Sequence, residues 1–244
     1  MTNYDDLLDL LRTRRSVRAF TPEPVSDEEI KKILEAARWA MSGGNAQPWE
    51  FLVVNDRKDC DAIIAAKDRS HDEIIAIEET RSREMRLPAL LNRESYIPFK
   101  DAPVLIAVLA DKRAFQATLL ADHFLDIEHD PEAIFHKGIG NATQNMMLAA
   151  HALGLSAAWL SVDKMWERFL KDFLNIPALL DVPTVVAVGH NKYKPQPGVR
   201  RPLEEMVHFG KYDMSKFRTG HQIVEYISSL RNKTNKAYNL EDTK

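Results

Sequence analysis

Residues 102–110, Ala-Pro-Val-Leu-Ile-Ala-Val-Leu-Ala, constrain the fold more than any other part of this sequence. The run carries no polar side chain, so a strand built from it belongs in a core. It is far shorter than the roughly 20 apolar residues that a membrane-spanning helix requires. Residues 103–110 therefore read as a core strand. Trp49–Val54, residues 155–160 and residues 184–189 supply three more strand candidates.

Helical patterns fill the intervals between these strands. Residues 5–14 place Leu7, Leu8 and Leu11 on one side of a short helix. Ser26 and Glu29 form a capping box, Val25 can staple against Ile30, and Ile30, Ile33, Leu34 and Ala37 recur at helical spacing. Gly43-Gly44 is the expected stop. Residues 57–100 are highly charged with a helical pattern broken at Pro88 and Pro98, and residues 115–129 read as a helix. Pro131 opens a long helix in which Ile139, Ala142, Met146, Ala149 and Leu153 share a face. Ile223, Ile227 and Leu230 predict an amphipathic C-terminal helix before a polar tail. There is no repeat, no low-complexity segment and no clear interdomain linker. The expected class is α+β, with helices around a small mixed or antiparallel sheet.

The charge balance narrows the function classes. With a formal net charge of −3 over 244 residues, no global field draws this chain to nucleic acid or to an anionic membrane. A cluster of arginines is then a local feature suited to a small anion. Cys60 is the only cysteine, which excludes an internal disulfide and a multi-cysteine metal site. The first residues lack a basic stretch followed by an apolar one, so no secretory signal is expected and a reducing cytoplasm is the expected compartment.

Arg14-Arg15-Ser16-Val17-Arg18 gathers cationic donors around one hydroxyl, and Asn45-Ala46-Gln47-Pro48-Trp49 places two amides just before a strand. In an extended segment Arg14, Ser16 and Arg18 share a face. Forked guanidiniums suit phosphate oxygens or an electron-rich carbonyl. A solvated basic turn and ordinary loop chemistry are the alternatives for these two blocks. Gly138 and Gly140 lack the third glycine of a dinucleotide fingerprint, and no phosphate-loop Gly-Lys-Ser/Thr exists. His123, Asp126 and Asp130 would share a helical face, but a solvated helix explains them better than a metal site. Cys60 has no activating neighbour in sequence, and Ser42 has no nucleophile-elbow context.

The two blocks and their order resemble the nitroreductase family of FMN-dependent oxidoreductases. The likeness extends from Leu7 to His208 and takes in Gln144-Asn145-Met146-Met147, Leu153-Gly154-Leu155, Val186-Ala187-Val188-Gly189-His190 and Arg200-Arg201-Pro202. It implies a homodimeric nitroreductase-like fold, with residues 1–210 as the FMN-binding domain and 211–244 as a C-terminal helical extension of the same domain. It also implies hydride transfer from NAD(P)H through flavin N5 to a nitroaromatic, quinone or other conjugated electrophile, in ping-pong order. A specialised member, such as a reductive dehalogenase or a flavin-cleaving enzyme, and a non-enzymatic flavin-binding protein are the alternatives.

Residue by residue, the resemblance assigns Arg14 and Ser16 to the phosphate and ribityl side, with Arg15 beside them, and Arg18 to the pyrimidine edge. Asn45 is assigned to the flavin and Gln47 to the ring or its loop. Leu160 and Ser161 bring a backbone amide toward N5. Arg200, with Arg201 in reserve, closes over the phosphate. The side chains of Trp159, Leu160 and Ser161 are expected to pack at the strand end. Relatives commonly have glycine where this chain has Val162, proline where it has Met41, and lysine where it has Gly198. No protein acid or base and no metal is implied. Residues 57–100 and 113–130 could carry a substrate lid and could equally be surface helices.

Overall fold

The charge-free run forms an interior strand of a four-stranded antiparallel sheet, in a computed structural model that describes residues 3–85, 99, 101–121, 131–195, 198 and 200–237. In chain order the elements are α1 (Tyr4–Thr13), α2 (Asp27–Arg38), β1 (Trp49–Val54), α3 (Arg57–Glu79), β2 (Val104–Ala110), α4 (Lys112–Ala121), α5 (Pro131–Ala152), β3 (Ser156–Ser161), α6 (Lys164–Phe173), β4 (Asp181–Gly189) and α7 (Gly220–Ala237). The strand order is β1-β2-β4-β3, and each neighbouring pair is antiparallel. The class is α+β.

Alternation along β2 explains the layering. Leu105, Ala107 and Leu109 enter one core with Cys60 and Ile63 of α3 and Trp166 and Leu170 of α6. Val104, Ile106 and Val108 enter a second core with Ile30 and Ile33 of α2 and Ile139 and Met146 of α5. Every residue of β2 is buried because helices cover both faces. In β4 the pairing register shifts between Val108 and Ala110 of its neighbour. Pro183 lies opposite this irregularity, and a bulge is where an interior strand can tolerate proline.

Helix starts follow local chemistry. Ser26 Oγ accepts from the Glu29 amide at 3.3 Å while Glu29 Oε2 accepts from the Ser26 amide at 2.9 Å, completing the capping box. Val25 and Ile30 are buried in the same core cluster. The helix stops at Arg38, however, before the glycine pair that was expected to end it. Gly43–Asn45 instead forms a separate 3-10 turn. Helix α6 was not anticipated. Its signal was Asp163, which caps the amides of Met165 and Trp166, followed by Trp166 and Leu170 on one face.

Of the expected helix at 115–129, the described part is α4. Pro88, Pro98 and the sequence Asp122–Asp130, with its proposed acid and histidine face, lie outside the described residues, as do Gln196 and Pro197. The chain divides into two compact units, Met1–Pro195 and Gln196–Lys244. The second holds α7 and two 3-10 turns, Leu203–Glu205 and Met214–Lys216. Within it Lys216 Nζ donates to the carbonyls of Glu204 and Val207 at 2.7 and 2.9 Å, and His208 stacks on Tyr212 at 4.2 Å.

Gly189 closes β4 at a point of tight approach. A Cβ there would lie 2.6 Å from Pro103 Cδ and 3.1 Å from the Phe20 ring. Gly140, on α5, has nothing within 4 Å of its Cβ position. Gly189→Ala is expected to destabilise by about 1–3 kcal/mol through overpacking. Gly140→Ala should instead stabilise by up to about 1 kcal/mol through helix propensity. Denaturant midpoints should move in opposite directions.

Candidate functional site

The Arg-Arg-Ser-Val-Arg segment follows α1 and is laid against β3. Ser16 makes a parallel bridge to Ala157, and the Val17 amide donates to the Ala157 carbonyl at 3.1 Å. Farther on, the Thr21 amide donates to the His190 carbonyl at 2.9 Å and Lys192 to Ala19 at 3.0 Å. Val17 is buried in the core shared with α3 and α6, so Ser16 and Arg18 alternate away from it. Arg18 is exposed, and its guanidinium has no partner among the described residues. Arg15 is folded back, with Nη1 at 2.5 Å from the carbonyls of both Arg12 and Arg14. A cation on the last carbonyls of α1 is favoured by the helix dipole.

Strand β3 is an edge strand. The Val162 amide donates to Pro183 of β4 at 3.2 Å, whereas Ala157 faces the other way, toward Val17. Parity then turns the backbone groups of Trp159 and Ser161 to the same outer edge as Ala157. Leu160 faces β4, and its carbonyl accepts from Thr184 Oγ1 at 2.8 Å. The side chains depart from expectation. Trp159 is 51% exposed instead of packed at the strand end, and Ser161 is exposed as well. Both lie beyond the cover of α5, which reaches only the first residues of the strand's outer face.

Asn45 and Gln47 occupy the turn before β1, at the opposite edge of the sheet. Gly44, Asn45 and Gln47 have φ of 57°, 53° and 45°, with Ala46 right-handed between the last two; glycine and asparagine adopt such angles most readily. The Gln47 amide donates to Ser42 Oγ at 3.0 Å, and its side chain reaches the Asn45 carbonyl at 3.3 Å. Asn141 of α5 anchors this loop through a 3.1 Å bond to the Met41 carbonyl. The arginine segment meets α5 near His151. Along a helix at ~1.5 Å per residue, these two anchor points are about 15 Å apart. Within one chain, the structure brings Arg14–Arg18 and β3 together and leaves Asn45 and Gln47 elsewhere.

In the second unit Arg200 is exposed. Arg201 is held within its own turn, with Nη2 donating to the Glu205 carbonyl at 2.9 Å and Nε facing the Glu205 carboxylate at 3.4 Å. Cys60 is buried, and burial pushes its thiol up to about 11, which keeps a nucleophilic thiolate scarce at neutral pH. Among the described residues there is no cluster of three or more metal-ligating side chains, and no helix long and apolar enough to cross a membrane.

His151 is a residue of this region that sequence reasoning missed. Its Nε2 lies 2.8 Å from Thr13 Oγ1, and that hydroxyl donates its proton to the Asp9 carbonyl at 2.7 Å. Nε2 must therefore carry the hydrogen, so the neutral ring is the Nε2–H tautomer. The only sequence signal was a lone histidine near the end of a long helix.

The nitroreductase family profile matches residues 11–190. A protein of Archaeoglobus fulgidus, provisionally named NADH dehydrogenase/NAD(P)H nitroreductase, is 30% identical over 190 residues, covering 77% of this chain and 87% of that protein. The 5,6-dimethylbenzimidazole synthase of Rhodospirillum rubrum is 29% identical over 85% of this chain and 90% of its own length. A crystal structure from Desulfovibrio desulfuricans, of a provisionally named nitroreductase in complex with FMN, aligns at TM-score 0.59 with 32% identity, covering 87% of this chain and all of that one. This chain belongs to the nitroreductase family.

Burial, then the charges of Arg14 and Arg15, hold His151 below its ordinary value. The unfolded chain thus binds its proton more readily than the folded one. That penalty is absent well above pH 6.5 and grows as pH falls through the ordinary histidine range. His151→Gln should flatten the loss of stability between about pH 6.5 and 5 relative to wild type. Urea denaturation across that window measures the difference in slope.

Proposed function

We propose that this chain is an FMN-dependent NAD(P)H oxidoreductase that reduces a small conjugated electrophile, such as a nitroaromatic or a quinone. The observation that carries the reading is the pairing of the arginine segment with the outward amides of β3, joined by the Val17–Ala157 hydrogen bond. The donor set fits FMN. Arg18 offers an exposed guanidinium with no partner among the described residues, and the outer edge of β3 offers amides directed away from β4.

When bound, FMN supplies the two-electron chemistry between nicotinamide and acceptor. The chain's own residues bind and orient it. Arg14 and Ser16, with Arg15 bracing the turn, hold the phosphate and ribityl side. Arg18 faces the pyrimidine edge, where a fixed cation favours negative charge. The Ser161 amide, at the end of the strand after Leu160, would donate to N5 of the bound flavin. Arg200 adds a second phosphate contact, with Arg201 stabilising the loop that carries it. No side chain is assigned as a catalytic acid or base.

A homodimer completes the site in this reading. Asn45 and Gln47 lie at the far sheet edge from the arginine segment, so they serve the flavin of a partner copy. The exposed apolar residues Leu7 and Leu11 on α1 support such an interface. The lone, buried Cys60 favours a reducing cytoplasm.

Three measurements test this reading. Mass spectrometry of the released cofactor should give FMN, and exclusive FAD or no flavin after reconstitution would sink it. Mixing Asn45→Ala and Arg18→Ala subunits should give activity above that of either parent, and light scattering should give a dimer. Failure to complement, with both parents folded, speaks against a shared site.

The arginines separate binding from redox tuning. Arg200→Ala should mainly weaken FMN binding, since a phosphate contact is largely indifferent to redox state. Arg18→Ala should lower the midpoint potential of the reconstituted protein. A charge-assisted hydrogen bond contributes roughly 1.5–3 kcal/mol, which is at least about tenfold in affinity or about 30 mV in a two-electron potential. Fluorescence quenching and dye equilibration give the two values. A shift with Arg200→Ala and none with Arg18→Ala would reverse the assigned orientation.

A further inference from the structure

An ion pair between a buried lysine and a partly buried aspartate, 28% exposed, lies two residues beyond the Ser161 amide. Lys67 of α3 has a side chain only 6% exposed, and its ammonium donates to Asp163 Oδ2 at 2.6 Å. The same ammonium lies 5.2 Å from the centre of the Trp166 ring. Asp163 Oδ1 accepts from the amides of Met165 and Trp166 at 3.1 and 2.9 Å, which starts α6. Trp166 returns a hydrogen bond from its indole nitrogen to the Ile63 carbonyl of α3 at 3.1 Å. Burial opposes ionisation of Asp163, but the hydrogen bonds from Lys67 and the Trp166 amide outweigh it and keep the carboxyl below its ordinary range.

An aspartate caps a helix well without a lysine behind it. Buried ion pairs, moreover, are often replaceable by apolar residues without loss of stability, so this one is better explained by what it fixes. Only Val162 and Asp163 separate the end of β3 from the start of α6. Val162 is tied to β4 through Pro183, and Asp163 is tied to α3 through Lys67. Consecutive Cα atoms are about 3.8 Å apart, so a shift at Asp163 is passed to Ser161 with little slack. Val162 is β-branched and in this turn has no glycine-like freedom, which leaves the turn less able to adjust by itself.

We infer that Lys67 and Asp163 are a positioning pair, clamping the β3–α6 turn to α3 so that the Ser161 amide stays directed at the flavin. This rests on the FMN reading above. Neither residue touches the flavin; both act through the backbone between β3 and α6.

The test uses full-length, FMN-loaded protein. The double variant Lys67→Met with Asp163→Ser removes both charges and keeps a capping hydroxyl, so no buried charge is left alone. It is expected to bind FMN within about threefold of wild type, because the phosphate contacts lie elsewhere. The protection that the Ser161 amide gains from FMN in hydrogen exchange should fall by about fivefold, equivalent to one ordinary hydrogen bond. The midpoint potential should shift with it, and Lys67→Arg should preserve both properties. Should the double variant not fold, Asp163→Asn, which keeps the cap and weakens the pair, is read in the same way. Wild-type protection and potential in a folded variant, with only a lower melting temperature, would overturn the positioning role while leaving the FMN reading intact. A wild-type protein that binds FMN without protecting Ser161 would overturn the positioning role alone, and one that binds no FMN would overturn both.

Discussion

The hydrogen bond from the Val17 amide to the Ala157 carbonyl is the contact on which the proposed site depends. It attaches the segment after α1 to the edge of a sheet whose interior strands are already committed to two cores. Without it the arginines would end a helix in which no residue is buried, and they would have no fixed relation to β3. One neutral backbone bond in an accessible place contributes about 1 kcal/mol, so it does not act alone. The buried side chains of Val17 and Phe20, and the bonds between Thr21 and His190 and between Lys192 and Ala19, hold the same strap along its length.

The electrostatics of this corner follow from that attachment. Arg14, Arg15 and His151 are brought together at the adjoining ends of α1 and α5, and burial and the cationic neighbours favour the neutral form of the imidazole. Arg15 is turned toward the carbonyls of α1, whose dipole favours a cation there. Arg18 is left facing outward. Three arginines within five residues thus acquire different surroundings, and only those surroundings separate a brace from a ligand contact.

Much of the architecture was legible in the sequence because it depends on local or periodic signals. The apolar run at 102–110, the Ser26–Glu29 box and the face containing Ile139, Ala142 and Met146 each specify an element whose burial matches its pattern. Trp49–Val54 matches at both ends. The misreadings have physical causes. Helix α6 begins from a single aspartate that looks like any loop acid, and its importance comes from Lys67, far away in sequence. Gly43-Gly44 looked like a helix stop, but its conformational freedom is used in a separate left-handed turn. Trp159 looked like a strand-end packing residue, yet the helix that covers Ala157 does not extend over it.

Sequence by itself determined the class of fold, the family and the kinds of donors available, because periodicity, capping chemistry and motif order are written along the chain. It could not determine which donors meet. The bridge from Ser16 to Ala157 joins residues far apart in sequence, and the outward direction of the Ser161 amide depends on strand parity relative to β4. The separation of Asn45 and Gln47 from the arginines appears only once the strand order puts β1 and β3 at opposite edges. Long-range pairing and register decide those relations, since each depends on which distant backbone satisfies a given amide.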